Sequence, residues 1–313
     1  MKKTTISTLV GLLVLGLLGH AWASSACMRF LDITTYPRIA ALGQAGVGLG
    51  DSPWAAINPA HVLNTKGSLI SFSHTSWFSD ISLEALSLST ASGKHGFGLG
   101  VVGLHTEPLE KYDEFDTYEG SFRFFDVAVS ASYARRLGGG FGIGGTGKVV
   151  YEKIDWDGAT GFAADLGLIY ESPEGFLGGK VGLGIVARNL GTKIGYHGEK
   201  FDLPSGFQTG MAYRAGWLPP CASLSVAVDY QSTRLGENGL LAGLEVDLAR
   251  VVALRLGFRD AYESEVTFGV GIRLATVSFD YAYMELGNDL GGTHRFAINF
   301  ATGPVFPSPE ESR

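Results

Sequence analysis

The sequence predicts an all-β fold: a transmembrane antiparallel β-barrel of about 14 strands. Three observations carry it. From Leu69 to Phe300 short segments place large apolar residues at every second position, about fourteen times over, and period two is the side-chain period of a strand. The opposite faces of those segments are small or charged, as in Phe162, Ala164, Leu166, Leu168 and Tyr170 against Gly161, Ala163, Asp165 and Gly167. Finally, charged residues make up only 18% of the chain while 45 of its 313 residues are Gly, which suits a wall with lipid outside and a crowded lumen inside. A soluble sandwich also alternates, but it would have to expose those Gly, Ala and Ser faces to water.

Taken in order, the N-terminus comes first. Lys2 and Lys3 precede an uncharged apolar run from Ile6 to Leu18, and Ala21-Trp22-Ala23 offers the small residues a signal peptidase cuts after. That run is too short to span a bilayer. Residues 1–23 therefore read as a signal peptide, with a mature chain starting near Ser24. The formal charge of −7 becomes −9 once the two lysines are removed, 22 cations against 31 carboxylates, a balance that disfavours nucleic acid as a partner. No later stretch approaches the ~20 apolar residues of a helical span, so membrane residence falls to strands and a diderm outer membrane is expected.

Residues 24–66 form an N-terminal segment that is not a strand. It is rich in small residues and has no strand period; Asn58-Pro59-Ala60 marks a fixed turn, since proline locks φ, biases the residue before it away from helix, and lets the Asn side chain bond local backbone. The barrel follows over 67–301 and a short tail over 302–313. With the first strand, about Leu69 to His74, rising from the periplasm, odd connections are external and should be the long ones. The two longest, about His105 to Gly120 and Asn189 to Leu203, follow the third and seventh strands.

The small faces carry Asp126, Lys148, Asp165, Lys180, Arg188, Asp229, Glu245, Arg255, Arg273 and Asp280. Mixed in sign and taken out of water, these need partners; they read as a network tying strands to one another and to the N-terminal segment, or as the lining of a polar conduit. The greasy face is expected to reject charge at Leu168 and Val270, and Gly167 or Gly269 to tolerate Ser. Cys27 and Cys221 are a candidate disulfide, because the connection holding Cys221 falls on the periplasmic side, where disulfides persist. It would close a loop of about two hundred residues, for which the chain-entropy model gives about 5 kcal/mol. Free thiols, or a lipidated Cys27, are the alternatives.

Two glycine motifs carry no nucleotide chemistry. Gly142-Ile143-Gly144-Gly145-Thr146-Gly147-Lys148 is followed by Val149 where a phosphate loop needs Ser or Thr, and it alternates as a strand; Gly43 to Gly50 has no strand before it. Among mature histidines, His61, His74, His95, His105, His197 and His294, none sits in a nucleophile or metal motif. No enzyme chemistry and no cofactor is expected, with an outer-membrane lipid hydrolase as the rival class.

The order of short motifs adds a resemblance. Arg38-Ile39-Ala40-Ala41-Leu42-Gly43, Asp51-Ser52-Pro53, Asn58-Pro59-Ala60, Arg188-Asn189-Leu190-Gly191, Leu203-Pro204, Leu254-Arg255-Leu256-Gly257-Phe258-Arg259, Phe279-Asp280-Tyr281-Ala282-Tyr283 and Gly292-Thr293-His294-Arg295 together resemble the FadL superfamily of outer-membrane proteins and, within it, the PorV/PorQ group. The resemblance implies a fourteen-stranded barrel whose N-terminal segment, residues 24–66, folds into the lumen as an N-terminal lumenal hatch, seated at the wall by the Asn58-Pro59 turn. It further implies service in type IX secretion or surface anchoring of secreted protein substrates, or, as in FadL proper, uptake of hydrophobic small molecules. Outer-membrane lipid and the barrel-assembly machinery complete the expected partners.

Overall fold

A computed structural model describes residues 27–50, 55–175, 178–196, 199–216, 218, 221–261, 264–286 and 291–302. The expected signal peptide, the Asp51-Ser52-Pro53 motif, His197 and nearly all of the expected tail lie outside them.

The strands are β1 (Ser68–Ser76), β2 (Ile81–Ser92), β3 (His95–Thr106), β4 (Leu109–Tyr112), β5 (Tyr118–Phe122), β6 (Phe124–Gly138), β7 (Phe141–Ile154), β8 (Asp157–Glu171) and β9 (Gly179–Gly191), then β10 (Ile194–Tyr196), β11 (Glu199–Phe201), β12 (Gly206–Ala215), β13 (Ala222–Thr233), β14 (Gly239–Leu248), β15 (Val252–Asp260), β16 (Ser264–Leu274), β17 (Val277–Glu285) and β18 (Gly292–Ala301). Fourteen of these close an antiparallel barrel in sequence order. Its seam is β1 on β18, running from Leu69↔Ala301 to Ser76↔His294. Closure removes every free strand edge, the condition for strands to cross a bilayer.

The faces fall as the alternation predicts. Phe162 and Leu166 are 61% and 59% exposed on the outside, while Gly161, Ala163, Asp165 and Gly167 between them are buried. Val266, Phe268, Val270, Ile272 and Leu274 line the outside of β16 in the same way. Such an apolar outer band around a closed antiparallel barrel is the build of an outer-membrane protein, and no helix among the described residues is long and apolar enough to cross a membrane.

Both long connections sit where expected, after the third and seventh barrel strands, and each folds into a small hairpin, β4 on β5 and β10 on β11. They mark the external end. At the other end most turns are tight, as between β6 and β7, where Gly139 and Gly140 both take positive φ, 61° and 87°, the backbone that matches the twist of the flanking strands; the β8–β9 and β12–β13 connections are longer. One external turn, Asp155-Trp156 between β7 and β8, is equally short. The phosphate-loop look-alike lies inside β7, a plain strand.

Candidate functional site in the barrel lumen

The described part of the N-terminal segment lies against the inward faces of the strands, and its surroundings change along the barrel axis. It meets three tiers of lumen residues.

Near the external end the walls are apolar. Leu83, Leu104, Ala128, Val150, Ala159 and Ala163 from the strands, with Ile194 and Leu203 from the connection above, enclose Met28 and Phe30, which are 1% and 2% exposed. Polar contacts frame this cluster. The Met28 N–H donates to Glu152 Oε2 (3.0 Å) and the Arg295 guanidinium donates to the Thr34 carbonyl (3.1 Å) while lying 5.1 Å from the Trp77 ring centre. Asn189 stands at a bulge where β8 and β9 shift register, with a left-handed φ of 55°. Its side chain donates to Asp32 Oδ1 (3.2 Å) and the Pro204 carbonyl, its oxygen accepts from Lys148 (2.8 Å), and its N–H donates to Asp165. Burial pushes the Asp32 carboxyl up to about 6, against the pull of Arg188.

At mid-barrel the segment is held by its backbone. Asp229 accepts the N–H groups of Gly46 (2.7 Å) and Val47 (3.0 Å) and an amide hydrogen of Gln208 (2.8 Å), while Gln208 also donates to the Gln44 carbonyl. Thr267 Oγ1 accepts from Gly43. Approach is closest at Gly184, where a Cβ would fall 1.8 Å from the Val47 carbonyl oxygen; only glycine lets two backbones meet there. Asn58 caps the turn Pro59–Asn64, its Oδ1 accepting from Ala60 N (3.0 Å) and its amide donating to the Leu168 and Ile185 carbonyls of β8 and β9. His61 Nε2 donates to the Val47 carbonyl (3.0 Å). Full burial lowers its pKa to about 4, so the ring is neutral at pH 7.

Toward the periplasmic end the lumen is ionic. Arg38, from helix α1 (Pro37–Ala40), grips Glu245 with two bonds (2.9 and 2.7 Å). Glu245 also accepts from Arg255 (2.6 Å), Arg255 reaches Asp280 (2.7 Å), and Arg273 pairs with Asp247 and lies 3.6 Å from Glu245. Asn299 donates to Asp280 and accepts from Ser71, so the belt spans β14 through β18 to β1. Beside it, a cavity of about 60 Å³ between Gly48, Gly50, Glu171, Lys180 and Arg214 holds a few waters at most.

All ten charges expected in the lumen are on inward positions, but they do not form one network. Lys148 pairs with Asp165 (2.8 Å), and Glu245, Arg255, Arg273 and Asp280 share the belt. Lys180 instead meets Glu174 at the mouth (3.5 Å), Asp229 serves the segment backbone, Asp126 sits across from Glu152, and Arg188 forms no ion pair among the described residues. Missing from the expectation were Glu152 and Asp247, which the same parity would have found, and Arg38, Asp32 and Asn189, which no strand period marks.

Two expectations are corrected. Cys27 and Cys221 are both free. The Cys27 thiol, pushed up to about 11 by burial and then by Glu152, lies 3.8 Å from the Asp202 carbonyl in the external connection, whereas Cys221 lies in the periplasmic turn between β12 and β13. The segment thus begins at the end of the barrel away from Cys221. Nor is there room for Ser at Gly167 or Gly269: a Cβ would stand 1.9 Å from Asn58 Oδ1 or 2.4 Å from Ala41 Cβ.

No family model matches the chain, and no curated protein does. Solved structures do. CymD, a monoaromatic hydrocarbon channel, superposes with a TM-score of 0.59 at 10% identity over 86% of this chain and 98% of its own. The Pseudomonas putida toluene transporter TodX gives 0.55 at 12% identity, covering 83% and 95%, and a Pseudomonas aeruginosa FadL homologue gives 0.52 at 11%, covering 89% and 100%. At such identities the likeness is one of fold, and the fold is that of a FadL-like closed barrel of fourteen strands.

Proposed function

We propose that the protein admits small hydrophobic molecules to the outer membrane of a diderm bacterium, with the N-terminal segment as the hatch that they displace. One observation carries this reading: the apolar chamber at the external end is filled by the chain's own Met28 and Phe30. The side chain of phenylalanine is a benzyl group, toluene less one hydrogen, so Phe30 stands in the chamber as a tethered copy of a monoaromatic hydrocarbon. The resemblance in fold to hydrocarbon channels supports the same class of cargo. Passage requires no bond chemistry. The PorV/PorQ-like secretion role that the motif order implies has no further observation behind it.

The test is toluene binding to purified protein. Phe30→Ala removes the internal competitor, and since burying such a side chain is worth roughly 1.5–3 kcal/mol, toluene should bind at least about 10-fold tighter than to the wild type, and Phe30→Trp should weaken it. Equal, unsaturable partitioning into all three proteins would overturn the reading.

A further inference from the structure

Arg295 is a cation buried in the lumen with no carboxylate of its own. It is 0% exposed and forms no ion pair among the described residues. The charges that act on it are Arg259 and Glu265, and Glu265 stands 3.6 Å from Arg259. Arg295 Nε donates to the Thr34 carbonyl (3.1 Å) and Nη1 to the Thr293 hydroxyl (2.7 Å), both uncharged, while Nη2 is buried with no hydrogen-bond partner among the described residues. Across the barrel seam Thr75 of β1 is the direct register partner of Arg295. Its side chain is also 0% exposed, and its hydroxyl likewise has no partner among the described residues. Two inward donors on adjoining strands thus stand idle. A buried donor left unmade costs free energy, and an unpaired charge in a membrane-spanning wall costs more.

These donors border the apolar chamber. Trp77, which packs against the cluster around Met28 and Phe30, has its ring centre 5.1 Å from the Arg295 guanidinium. The N-terminal segment therefore puts a benzyl group into the chamber at Phe30 and, past the helical turn Arg29–Asp32, an oxygen acceptor onto Arg295 at Thr34. A ring and an acceptor occupy neighbouring places on one short tether. A carboxylate is the better acceptor: an ionised oxygen makes a shorter and stronger bond to a guanidinium, and its second oxygen can take a donor that the single Thr34 carbonyl leaves idle.

We propose that Arg295 and Thr75 form an anion subsite beside the chamber, and that the cargo is an aromatic carboxylate whose ring replaces Phe30 and whose carboxylate replaces the Thr34 carbonyl. The inference rests on the reading of the chamber as a cargo site, and adds an acidic group to the apolar body of that cargo.

The test is calorimetric titration of the purified protein in detergent at pH 7, its chamber vacated by Phe30→Ala, with benzoate, phenylacetate and phenylpropanoate and with the uncharged amide of each. The acid whose arm fits best should bind at least about ten-fold tighter than its amide, the lower end for a hydrogen bond to a charged group, and adding Arg295→Gln should abolish the difference. Should Arg295→Gln fail to assemble, Thr75→Val, which keeps the shape of the side chain and removes the donor, should narrow it. Amides that match every acid, with toluene still bound, would overturn the proposal and leave the hydrocarbon reading standing; toluene, acids and amides that all partition without saturation would overturn both. An acid preference that survives both Arg295→Gln and Thr75→Val would also overturn the proposal. So would chloride binding as tightly as the best acid, because the ring would then contribute nothing.

Discussion

The external and periplasmic tiers of the lumen hold the same N-terminal segment by different physics. At the external end Met28 and Phe30 are retained by apolar contact, which is non-directional and which any hydrophobe of similar shape can replace. At the periplasmic end Arg38 is retained by two bonds to a carboxylate that also serves Arg255, and those bonds need particular donors at particular angles. If the segment yields to cargo as proposed, it yields at the external tier: an incoming apolar molecule competes at the top and has nothing to offer at the bottom, so the base would stay fixed.

Breaking the base should therefore have the largest effect. Glu245→Gln leaves Arg38 and Arg255 buried without their shared counter-charge, and loss of one partner of a buried pair costs about 3–5 kcal/mol. The segment should become protease-sensitive below Arg38, and the barrel should lose heat resistance on a gel. Arg29, whose pairing with Glu237 is 63% exposed on the arginine side, supplies the contrast, since Arg29→Ala should change neither readout. Equal damage from both would erase the distinction between the tiers.

Next come two neighbours on β8 that face opposite ways. Leu168→Arg puts a charge into lipid, at roughly 2–4 kcal/mol near mid-membrane, and should impair barrel assembly. Gly167→Ser puts a side chain into Asn58, an overpacking cost of about 1–3 kcal/mol, and should leave the barrel heat-modifiable while exposing the segment to protease. A Gly167→Ser protein with a protected segment would contradict the contact.

That pair also shows what was legible in the sequence. Period two and the lipid solvent dictated the facing of the strands, because a one-residue slip would turn Phe162 and Leu166 inward, and loop length identified both long external connections, though not that each folds into a hairpin. Lys148 and Asp165 could both be read on the small face, but their pairing could not. What occupies the lumen could not be read, because the N-terminal segment has no period to fix its path: Gly167 looked permissive when it is in fact a contact surface for Asn58. The same gap misled the cysteines, since nothing in the sequence says that the segment starts at the external end and descends. Arg38 stayed hidden for the same reason, though its partner Glu245 was read on the inward face.

The tiers should also respond to pH in opposite senses. The Asp32 carboxyl is raised in the folded chain from 3.8 to about 6, so the folded state holds the extra proton between those values and external seating weakens as pH rises through that window. His61 is lowered from 6.5 to about 4; the unfolded state holds the extra proton there, and mid-barrel seating weakens as pH falls from 6.5 toward 4. Within each window the slope is at most about 1.4 kcal/mol per pH unit. Hydrogen exchange at Phe30 and at His61, whose own N–H donates to the Asn58 carbonyl (2.9 Å), followed from pH 4 to 7, should show protection falling at the first and rising at the second. Asp32→Asn should flatten the first trend alone, and His61→Gln the second alone; parallel trends at the two sites would mean that the segment moves as one body.

The smallest expected effect tests where the two tiers are joined. Asn58 is the cap of the Pro59–Asn64 turn and the side chain that ties it to β8 and β9. Losing such a cap typically costs about 1 kcal/mol, and here the lost amide also leaves the Leu168 and Ile185 carbonyls without their side-chain donor. Those carbonyls lie in the wall, so the barrel itself should assemble normally. Asn58→Ala should therefore raise proteolysis around residues 58–64 without altering cleavage near Met28 or the heat resistance of the barrel. If Asn58→Ala loosens Met28 as much as it loosens His61, the turn transmits strain along the whole segment and the external tier is not an independent gate.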